Sequence, residues 1–361
     1  MARAKGFQGI VGVKKATTWG TAVVPASTDG LYVKSLDTPG NLGLEPIRAI
    51  TGNVTALPPV PGNKSVSVSL TSDVRYEGLE PLVAMVMGTA GAPSTVDTSA
   101  RQHVLKINKQ HDGIFATLAY ELIKDTLVVE IPSVKFNSFT IKASSSKPVE
   151  ITFKGLGDDY KYGTSASNTT TSVDSITLPS NLDWALFKQA VINYNAQNGA
   201  DFSGTDLLYC TGFEVTVERP QEGRISTERG DKISEPIETD FVKVSGSLEF
   251  PTVQDGTGGS SALAAAQLAY INSAATAGKM KIKLTSTTLA GASTAYYQWI
   301  LWMPYVVFGE GKPGIPGPEG QTWSIPFESF HVGTIPTGFT AGYTDALTID
   351  IFSKRATDAL A

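Results

Sequence analysis

A single cysteine, Cys210, leaves this chain without an internal disulfide framework or a cysteine-based metal site. Its three histidines, His103, His111 and His331, stand far apart with no H-x-x-x-H spacing, so no zinc centre is expected. Charge is sparse: 17% of the residues are charged and the net charge is −5, which offers no basic surface for gripping nucleic acid. The longest apolar run, Trp299 to Phe308, is interrupted by Pro304 and is far too short to span a membrane. The first twenty residues, MARAKGFQGIVGVKKATTWG, carry basic residues without the apolar core of a secretion signal, so neither a secreted nor a membrane protein is expected. No G-x-S-x-G, no phosphate-binding P-loop and no G-x-G-x-x-G after a strand occurs, so no enzyme and no cofactor are expected. Asp158-Asp159 sits in a glycine-flanked turn and reads as solvated rather than as a calcium or glycosidase site, and Cys210 reads as a small buried side chain in a strand.

What the chain does have is hydrophobic content of 41% over 361 residues, enough for two cores, and a strong period-two pattern. In SVSVSL (65–70), Val66, Val68 and Leu70 fall on one side and Ser65, Ser67 and Ser69 on the other, which predicts a strand with one buried and one wet face. Leu79, Leu82, Val83, Val86 and Met87 then follow at helical spacing, with Pro81 in the first turn and Gly88 as the stop. LYVKSL (31–36), HVLKI (103–107) and FATLAYEL (115–122) predict strands, and the alternating run from Leu127 to Gly155 predicts a meander. Trp184, Phe187, Val191 and Tyr194, after a capping-box-like Ser180 and Asp183, predict a helix over 181–197. Two long polar excursions interrupt the strands, a Pro/Gly-rich one at 37–64 and a charged one at 219–240.

The second half echoes the first. Leu31-Tyr32 lies 177 residues before Leu208-Tyr209, and Val66, Ser67, Ser69 and Leu70 lie 178 before Val244, Ser245, Ser247 and Leu248. HVLKI pairs with MKIKL at 177, Ile131-Pro132 with Met303-Pro304 at 172, Phe153 with Phe327 at 174, and Ile176-Thr177-Leu178 with Leu347-Thr348-Ile349 at 171. Order and near-constant offset predict a duplication. The expected fold is mainly β: an N-terminal arm (1–30), a β-sandwich or barrel module with a short helix (31–180), a connecting helix and linker (181–207) and a second such module (208–355) whose helix is capped by Ser260 or Ser261, carries Ala264, Leu268, Ile271 and Ala275 and ends at Gly278.

GVKKATTWGTAVVP (12–25), followed by a strand, a proline-containing loop, a strand, a short helix and a meander that includes YELIKDTLVVEIPSVKFNSFTIKA (120–143), resembles the major tail tube proteins of long-tailed bacteriophages. The resemblance is one of pattern over most of the chain and has no catalytic motif to anchor it. It implies a structural virion protein of the tail, assembled in the host cytoplasm. Such a protein self-assembles into rings whose sheets join across subunits, and the rings stack into a tube through which DNA is ejected. A duplicated chain implies trimeric rather than hexameric rings. The implied partners are further copies of the chain, a tape-measure protein and tail terminator or baseplate proteins, and DNA passes without specific binding. On this reading Ser65, Ser67, Ser69, Lys243, Ser245, Ser247 and Glu249 face the lumen, and Trp19, Arg48, Glu222, Arg224, Glu228, Arg229 and Asp231 contact adjacent rings.

The alternative reading is a β-sandwich adhesin or carbohydrate-binding module with Tyr296, Tyr297, Trp299, Trp302, Tyr305 and Phe308 as its platform; both faces of that run are apolar, which favours burial instead. A hydrolase is the least supported, since acid and base residues do not cluster. Gly311, Gly314, Gly317 and Gly320 have collagen spacing but only three triplets, which predicts a rigid loop rather than a trimer axis.

Overall fold

The period-two stretch forms the strand it predicts. The computed structural model describes residues 9–41, 45–47, 57–60, 62–89, 91–123, 127–163, 173, 176–181, 183–227, 229–250, 277–292, 294–309 and 323–360. Ser65–Asp73 is a nine-residue strand with Val66, Val68, Leu70 and Ser72 buried and Ser67 exposed. The helix after it, α1, runs over Glu80–Met87, with every side chain from Leu82 to Met87 buried. Gly88 ends it in the left-handed region at φ +76°, where its N–H bonds the carbonyl of Ala84 at 2.8 Å.

The other principal strands of the first half are β1 (Val11–Ala16), β2 (Gly30–Leu31) and β3 (Ser35–Asp37) before the opening strand, which is β4. After α1 come β5 (Arg101–Lys106), β6 (Phe115–Ile123), β7 (Leu127–Ser144), β8 (Glu150–Gly157) and β9 (Lys161–Gly163). The second half contributes β10 (Ala190–Ala196), β11 (Gly212–Glu218), β12 (Lys243–Phe250), β13 (Ala277–Leu289), β14 (Tyr296–Phe308), β15 (Trp323–Ser329) and β16 (Thr348–Ser353).

The same order of antiparallel pairing occurs twice. In the first half, β1 pairs with β6, β6 with β7, β7 with β8, β8 with β4, and β4 with β3, while β2, on the same chain run as β3, returns to β1. In the second, β10 pairs with β13, β13 with β14, β14 with β15, β15 with β12, and β12 with β11, and the chain just before β11 returns to β10 through the Asn193–Leu207 bridge. These strands belong to one 18-stranded sheet, and in each half the chain comes back to the strand on which the series of pairings began. β9 on β7 and β16 on β14 complete the parallel. The registers also correspond: Leu70 stands between Leu36 and Phe153, and Leu248 between Phe213 and Ile325. Two junctions merge the halves into one sheet, Ser138–Ser144 of β7 on β11, and β5 on β16.

One corresponding pair exchanges size. Val68 faces Gly155 across β4 and β8, whereas Gly246 faces Phe327 across β12 and β15. A Cβ on Gly246 would meet the Glu214 carbonyl oxygen at 2.1 Å and the Phe327 ring at 2.5 Å. Gly246→Val is therefore expected to cost about 1–3 kcal/mol through overpacking. Chemical denaturation of Gly246→Val against the wild type checks this.

Several expectations are corrected. The helix over 181–197 does not form: Phe187–Gln189 is one 3-10 turn, and Ala190–Ala196 is a strand paired along its length with β13. Ile192 and Tyr194 point inward two residues apart while Val191 is exposed, and β-branched and asparagine residues in this stretch are weak helix formers. Of the arm expected over residues 1–30, Val11 to Ala16 is a strand of the main sheet, and the meander expected from Leu127 to Gly155 is the antiparallel pair β7 and β8, in which LVVEIP and VKFNSFTIKA join as one 18-residue strand that outruns β6 and then takes β11 as its neighbour. In the pairing circuit β13 corresponds to β6 rather than to HVLKI, Ile325 rather than Phe327 corresponds to Phe153, and β9 rather than residues 176–178 corresponds to β16. The stretch from Ala264 to Ala275, expected as a helix, and the Gly311–Gly320 loop lie outside the described residues.

Candidate functional site

Because side chains alternate along every strand, one face of β3, β4, β8, β7, β11, β12 and β15 forms a single polar surface across both halves. One row of cross-strand neighbours reads Ser35, Thr71, Thr152, Thr140, Thr216, Ser245 and Glu328. Its threonine hydroxyls pair, Thr71 with Thr152 at 3.0 Å and Thr140 with Thr216 at 2.9 Å. The row beside it reads Asp37, Ser69, Lys154, Ser138, Glu218 and Lys243. On the other side runs Asp73, Glu150, Lys142, Glu214, Ser247 and Pro326. The opposite face of the same strands carries Leu70, Phe139, Ile141, Phe153, Val215 and Leu248, each fully buried.

Charges on the polar face are mixed and lean acidic. Asp37, Asp73, Glu150, Glu214, Glu218, Glu249 and Glu328 are set against Lys142, Lys154, Lys243 and the adjoining Lys34. Lys34 bridges Asp73 at 3.2 Å and also Glu150, which raises its pKa, the Glu150 contact contributing most. Lys142 reaches Glu214 at 3.3 Å across the junction of the halves. Such exposed pairs stabilise by no more than about 1 kcal/mol each. Lys154 and Lys243 are separated in their row by Ser138 and Glu218, so among the described residues no run of adjacent cations lines this face to hold phosphates.

The sequence-predicted lumen residues fall on this face. Ser67, Ser69, Lys243, Ser245, Ser247 and Glu249 share it, and Ser65 starts its strand opposite Asn41. Thr71, Thr140, Thr152 and Thr216 complete it and were legible only as polar positions in TSD, NSFTIKA, VEITFKG and FEVTVE; which strands lie side by side decides that they align. The aromatic run of β14 divides between its two faces: Tyr297, Trp299 and Phe308 are core, while Tyr296 is exposed and Trp302 and Tyr305 are half-buried.

A family model described as phage tail tube protein matches residues 6–329. The chain belongs to the phage tail tube family. It is thus a structural protein of the bacteriophage virion, a component of the tail. A search of curated proteins returns no match. No helix among the described residues is long and apolar enough to cross a membrane.

In this tail tube protein the charged excursion at 219–240 packs onto the first half of its own chain. Arg219 is fully buried at the C-terminal end of α1, where its Nε donates to the Val86 carbonyl at 2.6 Å and its Nη2 to those of Met87 at 2.8 Å and Asn108 at 2.9 Å. Its Nη1 pairs with Glu238. His111 donates from Nε2 to the Met85 carbonyl and accepts from Gln221 at Nδ1, and burial, helped by the Arg219 charge, lowers its pKa to about 3. Lys135, also fully buried, meets Glu235 at 2.7 Å and the Pro236 carbonyl at 2.8 Å.

Three of the expected ring-to-ring residues are engaged here within the chain. The Trp19 indole donates to the Ile233 carbonyl at 3.0 Å, Arg229 donates to the Trp19 carbonyl at 3.0 Å, and Asp231 pairs with Lys64 at 2.8 Å. Glu222 and Arg224 are largely exposed and 4.0 Å apart, while Arg48 and Glu228 lie outside the described residues.

Two smaller expectations change. Cys210 is half-buried outside any strand, its thiol pKa pushed up to about 11 by burial. Asp158 is buried, accepting from the Ser133 N–H at 3.1 Å and facing Arg229 at 3.4 Å. Burial pushes its carboxyl up to about 6 from 3.8. Between those values the folded chain binds a proton that the unfolded chain does not, so this group's contribution to stability grows as pH falls through 6. The stability of the wild type relative to Asp158→Asn is expected to rise by about 1–2 kcal/mol between pH 7 and pH 4.5. An unchanged difference in denaturation midpoints would remove Asp158 from this role.

Proposed function

We propose that the chain assembles into stacked rings that form the phage tail tube and conduct DNA into the host, with the seven-strand polar face as the wall of the lumen. The observation that carries this reading is the continuity of that face across both halves, including the β7–β11 junction. A hydroxyl-rich surface with an excess of carboxylates holds water and repels phosphates, which suits passage without binding. The repeated pairing circuit supports a duplication with modules near residues 31–180 and 208–355. Two modules per chain give a sixfold arrangement from three copies, so trimeric rings are favoured over hexameric ones. A tape-measure protein inside the tube, terminator or baseplate proteins at its ends, and assembly in the host cytoplasm complete the proposal. The exposed Glu222 and Arg224 are the best placed of the expected ring-to-ring residues to meet another copy.

Negative-stain microscopy of the purified chain at increasing concentration tests it, together with the mass of an isolated ring. Hollow tubes built from rings of three chains are expected. A chain that stays monomeric at high concentration and binds a glycan would favour the adhesin reading.

A further inference from the structure

The two halves differ at one sheet edge. In the second half β11 is enclosed, with β12 on one side and Ser138–Ser144 of β7 on the other. Its counterpart in the first half, Ser35–Asn41, pairs on one side with β4, and among the described residues no strand takes the other side. The correspondence is fixed by register, since Leu36 stands opposite Leu70 as Phe213 stands opposite Leu248.

Among the described residues two tyrosines reach this segment: the Tyr120 hydroxyl bonds the Thr38 hydroxyl at 2.7 Å, and Tyr160 meets the main chain of the open side. The Pro39 carbonyl accepts from the Ser67 N–H at 3.0 Å, so it faces β4, and the preceding Thr38 carbonyl faces outward. The Tyr160 hydroxyl donates to that Thr38 carbonyl. Its ring lies over Gly40, where a Cβ would come within 2.1 Å of it. By the same register Thr38 corresponds to Val215, whose neighbour across that edge is Ile141 of β7. A tyrosine hydroxyl therefore stands at one end of the chain's sheet where a strand stands at the internal junction.

We infer that the outer edge of Ser35–Asn41 is a docking edge for a second copy of this chain, and that Tyr160 is its removable cap. The partner is a second copy because the chain already contains the completed form of this junction, and repeating it head to tail is how a ring closes. The interaction is strand addition, with main-chain hydrogen bonds supplying the contact. The cap matters before assembly, because a bare strand edge invites indiscriminate pairing. This inference rests on the tube reading above and adds to it the identity of the edge.

Hydrogen exchange measured by mass spectrometry on the full chain, as monomer and as assembled particles, tests it. Exchange in the peptide covering Ser35–Asn41 is expected to slow by about tenfold or more on assembly. Tyr160→Phe is expected to keep the monomer's melting temperature and to raise the initial assembly rate, read by light scattering, by roughly threefold or more. Thr38→Pro, which removes an outward N–H from an extended residue, is expected to leave a folded monomer that does not assemble. Assembled particles with unprotected 35–41 amides, or Thr38→Pro particles like the wild type, would overturn the edge assignment alone. A wild-type chain that never assembles would overturn both this assignment and the tube reading.

Discussion

Leu70→Asp is expected to leave no folded chain at 25 °C, and Leu248→Asp to do the same from the other half. Both side chains are fully buried, each held between apolar partners on two neighbouring strands: Leu36 and Phe153 for Leu70, Phe213 and Ile325 for Leu248. Truncating a buried leucine costs about 2–5 kcal/mol, and placing a carboxylate there without a partner adds several more. That total rivals the 5–15 kcal/mol or so by which a domain is stable. Circular dichroism and size exclusion check it: loss of the β signal, or aggregation, is the expected outcome for either variant. Leu70→Ala and Leu248→Ala serve as graded controls that stay folded with lower midpoints. If both aspartate variants fold and assemble, the assignment of inner and outer faces to β4 and β12 is wrong.

Arg219→Met carries the second large effect. Methionine keeps most of the apolar stem but takes the guanidinium from the carbonyls of Val86 and Asn108 and from the Glu238 carboxylate, and leaves the Met87 carbonyl with the Asn108 N–H alone. Removing one side of a buried charged network costs about 3–5 kcal/mol. For a chain of this size that lowers the melting temperature by roughly 4–7 °C. The loss is also local, since Arg219 ties the excursion at 219–240 to α1. Limited proteolysis should therefore open that excursion well below the temperature of global unfolding. At low temperature the polar face should be unaffected, because Arg219 does not lie on it. A midpoint within about 1 kcal/mol of the wild type would mean that the capping network is not a principal tie between the halves.

The elements most legible in the sequence were those whose burial is set by a single neighbour on each face. β4 alternates strictly because one side meets a core and the other does not, and α1 keeps its apolar spacing between a proline and a glycine. Leu70 and Leu248, 178 residues apart, both lie on the buried side of their strands and each stands opposite an apolar residue of the next strand, Phe153 and Ile325. β10 was misread because Trp184, Phe187, Val191 and Tyr194 fit a helix stripe, while its strand character comes from lying along β13, far away in sequence. β7 was broken into pieces because its buried stretch from Val128 to Phe136 lacks alternation, covered on one face by core and on the other by distant segments such as the Lys135–Glu235 contact.

The polar face was half legible. Serines and charges at alternate positions mark each strand's wet side, but the aligned threonine rows and the Lys142–Glu214 bridge exist only once β7 and β11 lie side by side. The excursion at 219–240 looked like an outward contact because it is charged. Its buried members, Arg219 above all, are paired with main-chain carbonyls more than a hundred residues away, a pairing that no local pattern encodes.

The most direct test is a cryo-electron microscopy map of the assembled particle, read for the position of Ser65–Asp73 in the wall. The account predicts a hollow tube with Ser67, Ser69, Ser245 and Ser247 on the inner surface and Leu70 and Leu248 pointing away from the lumen. A tube with those serines on its outer surface would contradict it.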